Sequence, residues 1–136
     1  MAGSGDVVLR HIAAFNERDR DGDPWAADAE IIAPGGAFKG RDNVLGFLGA
    51  FQQAFPDGRL EVKKLLVDGS SAAAEGTFAG THDGVLPSPE GDVAATGKSV
   101  EFRWAAVYAV DSDELSSEHL FFDQADLLGQ LGLLPG

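Results

Sequence analysis

The chain has no cysteine, which excludes disulfides, thiolate nucleophiles and cysteine-ligated metals. Histidine is scarce as well. The three, at His11, His82 and His119, lack ligand spacing, and no carboxylate cage accompanies them, so no metal is expected. Positive charge is thin: 10 Lys and Arg against 22 Asp and Glu leave a net charge of −12. Such a surface repels phosphate backbones and anionic lipid, so neither nucleic acid nor membrane is an expected partner. The longest clean apolar run, Trp104 to Val110, is far shorter than the roughly 20 residues of a membrane span. The start, Met1-Ala-Gly-Ser-Gly, lacks the basic-then-apolar pattern of a secretory signal, which gives the expectation of a cytoplasmic protein. Gly35-Gly36 and Gly69 stand outside any P-loop or dinucleotide pattern, and Ser70-Ser71 and Ser116-Ser117 outside any nucleophile elbow.

What is present reads as one α+β domain spanning residues 1–136, with 44% apolar residues to fill a core. Helical spacing of Val7, Val8, Leu9, Ile12, Ala13 and Phe15 predicts a first helix over Asp6–Phe15, with His11 as a surface residue in its middle. Pro24 is expected to open a short helical turn with Trp25 and Ala26, and Ala29–Ala33 to form a brief strand. Asp42 is the predicted N-cap of a second helix over Asn43–Phe55, stopped by Pro56-Asp57-Gly58.

Beyond that point the period becomes two. Strands are predicted over Leu60–Val67, Ser71–Thr81, Lys98–Val110 and Leu115–Phe122, with Asp68-Gly69 as a hairpin signal. A Gly- and Pro-rich loop spans Asp83–Thr96, and a short amphipathic helix follows Asp123. Consecutive hairpins give a curved antiparallel meander whose concave face the two early helices cover. The aromatics Phe15, Phe51, Phe78, Phe102, Trp104, Tyr108 and Phe121 are candidates for lining a pocket under those helices. The small residues Gly46, Gly49, Ala50 and Ala106 leave room for one.

Strict alternation places Leu115, Ser117, His119, Phe121 and Asp123 on one side of the last strand. His119 and Asp123 then lie roughly 13 Å apart on a regular strand. Asp123 also stands directly before the closing helix, so it reads equally as an N-cap. His82 and His119 each read either as hydrogen-bonding groups in a site or as structural residues.

Four stretches in order resemble the SnoaL-like polyketide cyclase, or ester cyclase, group of the nuclear transport factor 2-like superfamily. They are Ala54-Phe55-Pro56-Asp57, Gly80-Thr81-His82-Asp83-Gly84, Thr96-Gly97-Lys98, and the closing run from His119 through Asp123-Gln124 to Leu133. Ala95 replaces the Pro usual before Thr-Gly-Lys, and Leu120-Phe121-Phe122 stands where several cyclases carry a Trp. The resemblance implies a cone-shaped, cystatin-like α+β barrel. It also implies cofactor-free acid/base chemistry on a hydrophobic carbonyl compound, by intramolecular aldol cyclisation or isomerisation.

By position, Asp123 matches the group's catalytic aspartate, with His82 and His119 assisting. The resemblance also implies a homodimer formed through the outer sheet face, where Glu101, Arg103 and Lys63 are expected. Two further readings stay open. One is epoxide opening by water, for which Arg103 is the candidate arginine; the other is binding of a small hydrophobic metabolite without catalysis.

Overall fold

The computed structural model describes residues 3–87 and 91–134. Helix α1 (Ser4–Glu17) buries Ser4, Val7, Val8, His11, Ile12, Ala14 and Phe15, a stripe at helical spacing. It ends where Arg18 adopts the left-handed conformation and its N–H meets the carbonyls of Ala14 and Phe15. Next come β1 (Trp25–Ala33), β2 (Gly36–Lys39) and α2 (Arg41–Ala54). The long hairpin strands β3 (Arg59–Asp68), β4 (Ser71–Thr81), β5 (Ser99–Asp111) and β6 (Glu114–Phe122) follow, and α3 (Gln124–Gln130) closes the chain.

The six strands form one curved sheet in the order β2-β1-β6-β5-β4-β3. The expected meander is therefore the β3–β6 half of a larger sheet. Strand β1 joins it parallel to β6, while every other neighbouring pair is antiparallel. Three sequence expectations give way here. Trp25 and Ala26 belong to a strand rather than a helical turn, because β1 has a free edge of β6 to pair with at Leu115. Helix α2 begins at Arg41 after Gly40, so Asp42 sits inside its first turn instead of capping it. The segment predicted to end in one brief strand at Ala33 turns back as a hairpin, pairing Ala33 with Gly36.

Curvature comes from irregular pairing. Between β3 and β4 the register slips at Lys63, and opposite it Gly76 passes so close to β3 that a Cβ there would overlap the Glu61 carbonyl. Between β5 and β6, Ala109 pairs with Ser117 but Val110 pairs with Leu115, leaving Ser116 as an extra residue whose hydroxyl donates to the Ala109 carbonyl at 3.1 Å. This bulge reverses the inside–outside alternation for the rest of β6.

Core packing lies between the concave face and the helices, where Val7, Val8, Ile12, Phe15, Val44, Leu48, Phe55, Phe78, Phe102 and Trp104 meet. The Phe55-Pro56-Asp57 stretch is a corner. Asp57 accepts hydrogen bonds from the Thr81 N–H and hydroxyl at 2.7 and 2.9 Å, and Arg18 donates to the carbonyls of Phe55, Pro56 and Gly58. The Thr81 bonds, helped by the charge of Arg18, hold the Asp57 carboxyl below its ordinary range. No described helix is long and apolar enough to cross a membrane.

Candidate active site

An apolar cavity opens between the helices and the concave sheet. Its deep wall is His11 and Phe15 from α1, Leu48 from α2, Phe78 from β4, Phe102, Trp104 and Tyr108 from β5, and Glu118 from β6. Phe47, Phe51, Leu60, Leu120 and Phe122 complete it and are only partly buried, so they form the side toward solvent. The enclosed space is about 50 Å³, and the atom-free volume out to the mouth is about 480 Å³. The enclosed part holds only a few waters, so a ligand with fused rings enters only if the half-exposed aromatics turn aside.

Several rings meet edge to face, whereas Phe102 lies tilted at 36° and 37° against Phe78 and Phe122. Phe51 meets Phe122 at 88° and 6.0 Å, Phe55 meets Phe78 at 79° and 5.3 Å, and Phe15 meets Phe78 at 70° and 6.5 Å. Of the aromatics singled out in the sequence, Phe15, Phe51, Phe78, Phe102, Trp104 and Tyr108 lie in the cavity wall. Phe121 does not: it points outward and is 60% exposed, because the bulge at Ser116 hands the inward position to Phe122.

Three charged or chargeable side chains meet at the deep end. His11 Nδ1 lies 2.8 Å from Asp23 Oδ1, and His11 Nε2 lies 3.6 Å from Glu118 Oε1; all three residues are at most 5% exposed. Among the described residues, Glu118 Oε1 has no hydrogen-bond partner. Burial, reinforced by the charge of Asp23 and only partly relieved by His11, raises the Glu118 pKa to about 7. Burial disfavours the His11 imidazolium, yet the bond and charge of Asp23 and the charge of Glu118 together lift its pKa above the ordinary value. Tyr108, facing Glu118 across the β5–β6 pairing, has its pKa pushed far up by burial and by the two carboxylates, which keeps its hydroxyl protonated. Trp25 packs edge-on against His11 at 5.2 Å and 75°.

The three residues predicted to be catalytic are not brought together. Asp123 is exposed on the surface and caps α3, its carboxylate accepting from the Asp126 N–H at 3.0 Å. His119 faces outward and pairs with Val107, on the far side of the sheet from the cavity. His82 is buried at the end of β4 but outside the cavity lining. Its Nδ1 accepts from the Thr96 N–H at 3.2 Å and lies 2.9 Å from the Thr96 hydroxyl, and its ring lies against Phe55 at 5.4 Å. Burial lowers its pKa, against the charge of Asp83, and this neutral ring ties the strand end to the loop that follows. Arg103 is exposed on the outer face, so the water relay it was a candidate for does not form in this cavity.

Sequence reasoning missed His11, Asp23 and Glu118. His11 carried a signal: it falls on the stripe of Val7, Val8, Ile12 and Phe15 and so shares their burial. Glu118 shares a parity with Leu120 and Phe122, a clue that conflicts with Leu115 unless a bulge intervenes. Asp23 carried none.

A curved sheet wrapped on two helices around an apolar pocket is the architecture of the nuclear transport factor 2-like class. An NTF2-like protein from Burkholderia thailandensis matches it with a TM-score of 0.79 at 20% identity, covering 99% of this chain and 100% of that one. The model of the SnoaL-like domain family matches residues 8–119, and the chain belongs to that family. A candidate SnoaL-like polyketide cyclase from Jannaschia sp. gives a TM-score of 0.84 at 18% identity, covering 97% and 93% of the two chains. AclR, a candidate hydroxylase from Streptomyces galilaeus, gives 0.81 at 23% identity, covering 98% and 87%. At such identities these likenesses show the fold alone. Comparison with curated protein sequences gives no match.

Proposed function

We propose that this SnoaL-like protein is a cofactor-free acid/base enzyme acting on a small hydrophobic carbonyl compound, by proton abstraction that leads to isomerisation or intramolecular aldol cyclisation. The observation that carries this reading is Glu118: a buried carboxyl group with an unpartnered oxygen, set in the wall of an apolar cavity and held near neutrality in its pKa. A base poised near the working pH combines a usable ionised fraction with real proton affinity, and such help is worth roughly 10²–10⁴ in rate.

In this mechanism the ionised Glu118 takes a proton from the carbon next to the carbonyl. The electron pair moves onto the carbonyl oxygen as an enolate. Tyr108, kept protonated, supplies a hydrogen-bond donor for that oxygen, and the apolar wall strengthens the bond by excluding water. Glu118 then returns the proton to the product. His11 faces Glu118 and Asp23 fixes the orientation of its ring.

The experiment uses 2-tetralone, a bicyclic ketone with acidic α-protons, in D2O. The protein is expected to accelerate deuterium entry at the α-carbon as seen by proton NMR, and Glu118→Gln to slow it by at least about 10²-fold. Equal exchange by the two proteins contradicts the assignment, and specific binding of the ketone without exchange favours a non-catalytic binder.

A further inference from the structure

The apolar cavity that makes Glu118 a useful base also denies it bulk water, so exchange of its proton with solvent, between abstraction and return to the product, needs another path. A second concavity meets that need. It is an open basin of about 440 Å³ lined by Arg10, Asp21, Asp23, Arg41 and Glu114, with Ala27 on its wall. The two hollows have no lining residue in common: His11 lines only the apolar one and Asp23 only the polar one. What joins them is the 2.8 Å contact between these two side chains.

We infer that Asp23 is the outlet of a proton path that runs from Glu118 through the His11 ring to the polar basin, so that the cavity exchanges protons with solvent from behind. The inference rests on the acid/base reading of Glu118. The Asp23 carboxylate accepts a bond from His11 Nδ1–H, which leaves the Nε2 lone pair toward Glu118. When Glu118 has taken a proton, it passes it to Nε2 as the 3.6 Å gap closes, and the imidazolium releases its Nδ1 proton to Asp23. Water in the basin then removes that proton, and the ring is neutral again with its proton on the other nitrogen. The reverse transfer, a proton from the basin through Asp23 to Nδ1 and the Nε2 proton back to Glu118, restores the start with the proton that Glu118 hands to the product. No proton or charge is created or lost.

The surroundings fit an outlet. Arg41 donates to the carbonyls of Asp23, Trp25 and Arg20 at 2.9, 3.2 and 2.7 Å, which pins the segment that presents Asp23 to the basin. Arg10 and Arg41 share the basin wall with Asp21 and Glu114, whose carboxylates offer proton acceptors beyond Asp23. Trp25 covers one flank of the His11 ring.

The test follows the His11 Nδ1–H by NMR in protein labelled with nitrogen-15 in histidine, measuring its exchange with water. Ala27→Phe, an exposed change that fills the basin, is expected to slow that exchange at least about tenfold, whereas Phe47→Trp, which narrows the cavity mouth, leaves it within about twofold. Slowing by Phe47→Trp and not by Ala27→Phe overturns the outlet, even if Glu118→Gln abolishes ketone exchange and the acid/base reading stands. Full ketone exchange by Glu118→Gln removes the acid/base reading and the outlet with it.

Discussion

Glu118, in the middle of β6, and Asp123, just past its end, lie five positions apart, and their surroundings could hardly differ more. Glu118 is 3% exposed, points under the helices and has an oxygen with no partner among the described residues. Asp123 stands in water with its carboxylate given to the first turn of α3. Both are acids near the run that carries the family resemblance, yet only one lies where burial changes its chemistry. The lesson is that one extra residue, Ser116, decides which acid enters the cavity.

The largest expected effect sharpens this contrast. Glu118→Gln should lower the rate of carbon-acid exchange by about 10²–10⁴, while Asp123→Asn should change it less than about twofold, because Asn caps a helix as well as Asp. Matched assays of the two variants check it, and a reversed order would return the catalytic role to Asp123.

Stability should depend on pH through the buried pair. The Glu118 pKa rises on folding from 4.5 to about 7, so its contribution is fully present below 4.5 and is lost as pH climbs through 7. His11, also raised, acts in the same direction above its ordinary 6.5. The Glu118 part is on the order of 3 kcal/mol. The unfolding temperature should therefore fall between pH 5 and 8, and Glu118→Gln should flatten that slope; an unchanged slope would place the effect elsewhere.

A smaller effect belongs to the cap. Asp123→Ala should cost about 1 kcal/mol in denaturant unfolding with catalysis untouched. Smaller still for the site is the outer sheet face, where Val107 is 51% and Phe121 60% exposed. We propose this face as the contact between two copies of the chain. Val107→Asp should turn a dimer into a monomer in sedimentation without changing ketone exchange, and an unaltered sedimentation coefficient would assign that face to solvent.

The long hairpins were legible because alternation survives along them. In β5, buried Phe102, Trp104, Ala106 and Tyr108 alternate with exposed Glu101, Arg103, Ala105 and Val107. Strand β1 was half legible, since Trp25 becomes extended only by pairing with a strand some ninety residues later. The site was mostly illegible. Its aromatics follow parity, but parity fails for β6 at a bulge that no glycine announces, so His119 and Phe121 were turned inward on paper and outward in the protein. Asp23 reaches His11 through a loop, and loop-borne contacts leave no periodic trace.

The most direct test of the account is a carbon-13 NMR titration of the Glu118 carboxyl group, assigned by its loss in Glu118→Gln. A midpoint near 7 is predicted. A midpoint at or below the ordinary 4.5 would show a hydrated or firmly paired carboxylate, and would contradict both the acid/base role of Glu118 and the apolar cavity as its cause.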